Sequence, residues 1–414
     1  MMKNGEFLVR TQDFLRISFY KDRRLLMFIC GVFLATAPHA HEKGELNANN
    51  INDLGIQEEP CTGVAPYESI CEILPLSPRK QKIILNKLDG LDIDSKYWIN
   101  INESILTIAA RSPSIVPFVC CDIQSSLRRY PQSDGTELVA AQFGIPREAF
   151  LQVALLGVNE VVGPQIIYKS VDRYQNFLLK LIENSRPTLN IESTYLAGFE
   201  RKIYLYRVYE DRVPDKIFYF TDGGDIRRFA NAIQLYHEVT DIQIPNVAFV
   251  GIESGAGKVR GDEYLKGSTE SSIAYLEYNK LFRNIIVKQM EKRLGYKNGP
   301  TGRVLVGKSN GGSLVMNFML EHPDFACGGI ALSPAGKIPA AINDKNIRKI
   351  FCGEIYIGAG KYEGTFTRRA EKMISQLEKA GVHVTGYMEK SGHSFSSWVP
   401  LFLRFYEDYF FGSE

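Results

Sequence analysis

The sequence predicts an α/β fold, a mostly parallel sheet with helices on both faces, preceded by a smaller β-rich domain. Two observations predict it. From Arg186-Pro187 onward, short apolar strands alternate with longer amphipathic helices, the pattern of strands buried beneath helices on both sides. Before that point, segments such as Tyr97 to Ile101, Ile105 to Ala110 and Leu138 to Phe143 are punctuated by Ser-Pro, Asp-Gly and Ile-Pro, which marks an all-β unit. The expected division is an export signal over residues 1–40, the β-rich domain over 41–190 and the α/β domain over 191–414. Helical material is expected at Tyr174 to Glu183.

The elements of the second half come in a regular order. Lys202 to Val208 and Lys216 to Phe220 are β-branched and aromatic, hence strands, and the second runs into Thr221-Asp222-Gly223-Gly224. Phe229 to Val239 has helical periodicity. Val247 to Ile252 is a strand closed by Ser254-Gly255-Ala256-Gly257, and Ile273 to Leu294 is one long helix stopped by Gly295. Then come strand Val304 to Val306, helix Ser313 to Leu320, strands Ile330 to Leu332 and Glu354 to Ile357, and helix Arg368 to Ala380 stopped by Gly381. Val382 to Met388 is the last strand and Ser396 to Phe411 the last helix.

Composition narrows the function classes. A net charge of +2 with no long single-sign block gives no reason to expect a polyanion, so nucleic acid is not an expected partner. Lys21-Asp22-Arg23-Arg24 precedes the apolar run Leu25 to Ala37 and the small residues after it, the form of an export signal. The run is too short to span a bilayer comfortably, so no stable membrane anchor is expected after cleavage, and the protein is expected to be periplasmic or secreted. The alternative is a buried N-terminal helix. Without Cys30, six cysteines remain, free to pair in an oxidising compartment or to stay buried as small apolar thiols. None forms a metal-binding C-x-x-C, so no metal is expected. Cys327 opens the strand after helix Ser313 to Leu320 and Cys352 precedes the following strand, and the two strands would enter the sheet as parallel neighbours from the same end, which predicts a Cys327–Cys352 bridge. The pairing of Cys61, Cys71, Cys120 and Cys121 stays open.

The chemistry centres on Val304 to Leu314, VLVGKSNGGSL. A serine at the tip of a strand, one step before a helix, turns the chain so tightly that side chains two residues either side would collide. Gly307 and Gly311 stand at those positions around Ser309. The turn lifts the hydroxyl above the sheet, and the helix starting at Asn310 aims its N–H groups to where an oxyanion would form. A phosphate loop fails on residue order, because Lys308 precedes the serine.

A nucleophilic serine needs a base. Of the six histidines, His393, in Lys390-Ser391-Gly392-His393-Ser394 directly after the last strand, opens on the edge of the sheet where the serine stands. Glu363 is the one carboxylate in Gly358 to Gly364, the loop after Glu354 to Ile357, and is the candidate to orient the imidazole, the alternative being a surface glutamate beside Lys361 and Arg368. Ser309, Glu363 and His393 thus occur in the order nucleophile, acid, base.

Several stretches together carry a resemblance: FYFTDGG from Phe218, VAFVGIES from Val247, Arg260 to Tyr264, the elbow GKSNGG, and SGHSFSSW from Ser391. Over roughly residues 191 to 414 the chain resembles the esterase family that includes esterase D and the enterochelin (siderophore) esterases. The resemblance implies an α/β-hydrolase fold and a cofactor-free serine esterase acting on a small-molecule ester. It also implies that the N–H of Gly224 is a second oxyanion donor beside that of Asn310. Ile105 to Leu156, with GTELVAAQFGIP, is similar to the β-sandwich ahead of the enterochelin esterases. One departure is Ser394, where the family more usually has an acidic residue after the histidine. Arg227, Arg228 and Arg260 are expected in loops at the rim, either attracting an anionic substrate such as a catecholate siderophore or serving as solvated charges. The same shell would also serve an acyltransferase, or a ligand-binding protein without catalysis.

Overall fold

The computed structural model describes residues 61, 70–90, 97–102, 104–111, 118–123, 125–146, 149, 151–156, 166–168, 189–267, 269–336 and 353–412. The expected export signal and the helix at Tyr174 to Glu183 lie outside them. In chain order the N-terminal strands are β1 (Cys71–Glu72), β2 (Tyr97–Asn102), β3 (Ile105–Arg111), β4 (Phe118–Cys121), β5 (Ser125–Ser126), β6 (Arg128–Pro131), β7 (Glu137–Gly144), β8 (Leu151–Leu156) and β9 (Ile166–Tyr168).

They form two antiparallel sheets. One runs β1-β7-β3-β2, with β6 also on β7, and the other β5-β4-β8-β9. Alternation along β3, β7 and β8 sends Leu106, Ile108, Val139, Ala141, Leu151 and Val153 into one shared core, the packing that makes a sandwich of two sheets. On the opposite face of β3 and β7 lies α1 (Pro78–Leu88), which sequence periodicity did not reveal. It starts on Ser77, whose hydroxyl accepts from the Lys80 N–H, with Pro78 in the first turn where no N–H is needed. Cys61 and Cys71 are joined by a disulfide.

The second half holds β10 (Glu192–Leu196), β11 (Phe199–Arg207), β12 (Lys216–Phe220), β13 (Val247–Ile252), β14 (Arg303–Lys308), β15 (Gly328–Leu332), β16 (Glu354–Gly360) and β17 (Val384–Glu389). Their order is β10-β11-β13-β12-β14-β15-β16-β17, antiparallel over the first three and parallel from β13 to β17. Strands β12 to β15 are apolar through their centres because both faces are covered, with Lys216, Arg303 and Lys308 only at strand ends.

One face packs on α2 (Ile226–Thr240) and α8 (Phe395–Phe411) through an aromatic core of Phe218, Phe220, Phe229, Phe249, Phe402 and Tyr406. The other lies under α4 (Thr269–Leu281), α5 (Val287–Leu294) and α6 (Asn310–Glu321), with α7 (Thr365–Ala380) over β16 and β17. The single helix expected from Ile273 to Leu294 is instead interrupted by a wider π turn at Phe282–Ile286, which buries Phe282 and Ile286. Gly295 and Gly381 end α5 and α7 in the left-handed conformation. The short α3 (Lys258–Tyr264) was not apparent in the sequence.

Candidate active site

Ser309 joins β14 to α6 with φ +53° and ψ −122°, a backbone conformation that costs a non-glycine residue about 1–3 kcal/mol. Neighbouring bonds hold it there: its N–H donates to the Leu332 carbonyl at 2.8 Å, and its carbonyl accepts from Ala335 at 3.1 Å and Ser313 at 3.2 Å. The two glycines have the reason inferred from the sequence. A Cβ on Gly307 would collide with the carbonyl of Gly311, and one on Gly311 would run into the Thr221 hydroxyl and stand 2.9 Å from Asp222 Oδ2.

Parallel register brings the three candidate residues to one edge. Lys308 lies opposite Leu332, Leu332 opposite Gly358 and Gly358 opposite Tyr387, so the loops after β14, β15, β16 and β17 leave the sheet side by side. The loop after β16 carries Glu363 and the loop after β17 carries His393. Backbone bonds from Lys361 to Glu389 (2.6 Å) and from Tyr362 to Ser391 (3.1 Å) tie those loops together.

His393 Nδ1 and Glu363 Oε2 are 2.8 Å apart, with 3% and 0% of the two side chains exposed. The second carboxylate oxygen accepts from the Gly360 N–H at 2.6 Å, the Ser333 hydroxyl at 2.7 Å and the Ser397 hydroxyl at 3.3 Å. With donors on one oxygen and the imidazole on the other, the glutamate acts as an acceptor and fixes the proton on Nδ1, which leaves Nε2 with a lone pair. The imidazole is clamped by Phe366 at 4.1 Å between ring centres and by the edge of Trp398 at 5.0 Å. Trp398 Nε1 donates to the Ser333 hydroxyl at 2.9 Å.

Ser333 thus bridges Glu363 to the aromatic wall around His393, and its own φ is +47°. Sequence reasoning missed it. Its one signal is its place in Leu332-Ser333-Pro334, at the end of the strand next to the elbow.

The loop after β12 is clamped from beneath. The Arg260 guanidinium, 3% exposed, reaches Asp222 through Nε (2.7 Å) and Nη2 (2.9 Å), and Nη2 also donates to the Lys308 carbonyl at 3.3 Å. Burial opposes the charge on Asp222, but Arg260 and Lys308 outweigh it and hold the carboxyl below its usual range. Tyr264 donates to the Thr221 carbonyl, and Lys308 pairs with Asp225 at 3.2 Å.

The expected rim position of Arg260 is therefore corrected: it lies in α3 beneath the loop, because a buried carboxylate needs a partner with two donors. Arg227 and Arg228 lie in the first turn of α2, not in a loop, and both are half-buried. Arg228 stacks on the Phe395 ring at 4.4 Å. Gly224, in the turn Gly223–Asp225, is exposed, while Asn310, the first residue of α6, is buried.

Among the described residues no cluster of three or more His, Cys, Asp or Glu is placed to hold a metal ion, and no helix is long and apolar enough to cross a membrane.

Comparisons with known proteins agree with this architecture. Enterochelin esterase from Shigella flexneri superposes with a TM-score of 0.53 at 10% identity, over 77% of this chain and 100% of that one. The Shigella flexneri enterobactin esterase solved in the presence of enterobactin gives 0.52 at 10% identity, over the same shares of the two chains. Both likenesses concern the fold. No curated protein matches the sequence. The model of the family described as "Putative esterase" matches residues 193–408, which span β10 to α8 and include Ser309, Glu363 and His393. The chain belongs to that esterase family, with an α/β-hydrolase fold behind an N-terminal β-sandwich.

Proposed function

We propose that this esterase is a serine hydrolase that cleaves a carboxylic ester through an acyl-enzyme on Ser309. The observation that carries the proposal is the buried 2.8 Å bond between His393 and Glu363 at the sheet edge where Ser309 is held in a strained turn. In the first step Ser309 Oγ attacks the ester carbonyl, and its proton passes to His393 Nε2. Glu363 stabilises the imidazolium while the N–H groups of Asn310 and Gly224 receive the oxyanion. Collapse breaks the C–O bond, and the departing alcohol takes the proton from His393. Water then attacks the acyl-enzyme with His393 again as base, releasing the acid and restoring Ser309.

For the substrate we propose an anionic ester of the enterochelin type. Arg227 and Arg228 support this, since they lie in the first turn of the helix that comes after Gly224 and bring positive charge to the oxyanion loop. The fold shared with enterochelin esterase points the same way. Raising ionic strength should then weaken binding of an anionic ester more than that of a neutral one, and equal effects on both remove the anionic assignment. Export to an oxidising compartment belongs to the same proposal, supported by the Cys61–Cys71 disulfide.

A fluorophosphonate probe followed by peptide mapping tests the nucleophile. The label is expected on Ser309, and Ser309→Ala is expected to lose both labelling and turnover of a short-chain aryl ester while remaining folded. Labelling at another residue, or undiminished turnover by S309A, overturns the assignment.

A further inference from the structure

The N-terminal sandwich touches both loops of the candidate base and acid. Tyr362, the residue before Glu363, is buried in the sandwich core among residues of the N-terminal sheets. Asp122, in the turn after β4, is 3% exposed and accepts from the Ser396 hydroxyl at 2.8 Å, across 274 positions of sequence. Ser396 has one hydroxyl proton, and Asp122 takes it. Its oxygen therefore accepts from the two other hydroxyls it meets, Ser394 at 2.6 Å and Ser391.

Those two serines flank Gly392-His393, and Ser391, Ser394 and Ser396 are all fully buried. The backbones approach as closely as the side chains: a Cβ on Gly392 would stand 2.6 Å from the Asp122 Cβ and 2.8 Å from its carbonyl oxygen. A carboxylate of one domain thus gathers the hydroxyls on both sides of the base carried by the other.

We infer that Asp122 is a positioning residue for His393, so that the N-terminal sandwich is a working part of the active site and not only a covering. The inference rests on His393 being the general base. With the carboxylate present, the three hydroxyls have a single consistent donor direction and hold the His393 loop against the sandwich. Without it the Ser396 proton turns to the Ser394 or Ser391 oxygen, the network loses its single direction and its tie to the sandwich, and the loop that places the imidazole relative to Ser309 loses its anchor. A displacement of about 1 Å there costs on the order of a hundredfold in rate. Asp122 is buried and touches no substrate, so the loss falls on turnover and leaves binding of the ester unchanged.

The experiment measures kcat and KM for a short-chain aryl ester in the full chain and in D122A, D122N, S396A, D122A/S396A and H393A. Asp122→Ala and Ser396→Ala are expected to lower kcat about 10- to 100-fold with KM within twofold. Asp122→Asn keeps an acceptor oxygen for Ser396 and is expected to recover most of the loss, which a merely structural role would not predict. The double variant is expected to be no worse than the weaker single one, because both remove one interaction.

Full kcat in both D122A and S396A, a rise in KM instead, no recovery in D122N, or losses that multiply in the double variant each overturn the role of Asp122. If D122A does not fold, S396A against D122N decides the question. Retained turnover in H393A has a different meaning: the reading of His393 as base then fails, and this inference fails with it.

Discussion

Arg260 closes on Asp222 with two N–H···O bonds in a site that leaves 4% and 9% of the two side chains exposed. The pair stands directly beneath the turn Gly223–Asp225, and its third bond, to the Lys308 carbonyl, reaches the residue before Ser309. The position of one proposed oxyanion donor is thereby linked to the position of the proposed nucleophile. A buried ion pair of this kind adds little net stability, yet it is costly to break from one side.

Replacing Arg260 with Met leaves Asp222 charged, buried and without its bidentate partner, at a cost of about 3–5 kcal/mol in denaturant unfolding. The wild-type protein should also show an acid dependence that a D222N variant lacks. The Asp222 carboxyl is held below its usual range, so its contribution to stability is fully present above its unfolded value, about pH 4, and is lost as pH falls through the lower folded value. Unfolding midpoints measured from neutral pH down to about pH 3 check this. A wild-type curve that runs parallel to that of D222N throughout would contradict it.

Glu363→Gln separates charge from shape. The side-chain oxygen that takes the Gly360, Ser333 and Ser397 donors must remain an acceptor, so the amide oxygen settles there and the NH2 group faces His393 Nδ1. That NH2 requires Nδ1 to accept, which moves the imidazole proton to Nε2 and removes the lone pair that would take the serine proton. The expected result is a fall in kcat of about 10³- to 10⁴-fold with little change in KM or in the thermal midpoint. Wild-type turnover in this variant would mean that Glu363 does not set the tautomer.

The sequence carried some of this arrangement and concealed the rest, for physical reasons. The parallel strands were legible because burial on both faces keeps the centres of the inner ones apolar, and the elbow because two glycines at fixed spacing answer a local collision. Glu363 and His393 could be read from the loops that parallel strands must place on one edge.

The hidden parts depend on distant partners. A charge reads as exposed until its counter-charge is placed, and the carboxylate that buries Arg260 lies 38 positions away. Ser333 looks like any strand-end serine until Glu363 and Trp398 converge on it, and Asp122 had no local signal at all. The break in the helix at Phe282–Ile286 inserts a wider turn without glycine or proline, leaving helical periodicity on either side nearly intact.

The bridge expected between Cys327 and Cys352 is the remaining prediction. Cys327 is disulfide-bonded. Cys352 lies outside the described residues; Glu354, two positions further along the sequence, donates its N–H to the Cys327 carbonyl at 3.1 Å as β16 begins beside β15. The backbone contact of Glu354 with Cys327 is what the expected bridge rests on. The bridge would close a loop of roughly 25 residues, worth about 3 kcal/mol through the reduced freedom of the unfolded chain. Peptide mapping without reduction is expected to yield a fragment linking Cys327 to Cys352, and Cys327→Ser is expected to lower the thermal midpoint by several degrees. An alkylated, unpaired Cys352 peptide from the untreated protein would assign the Cys327 bond to another cysteine.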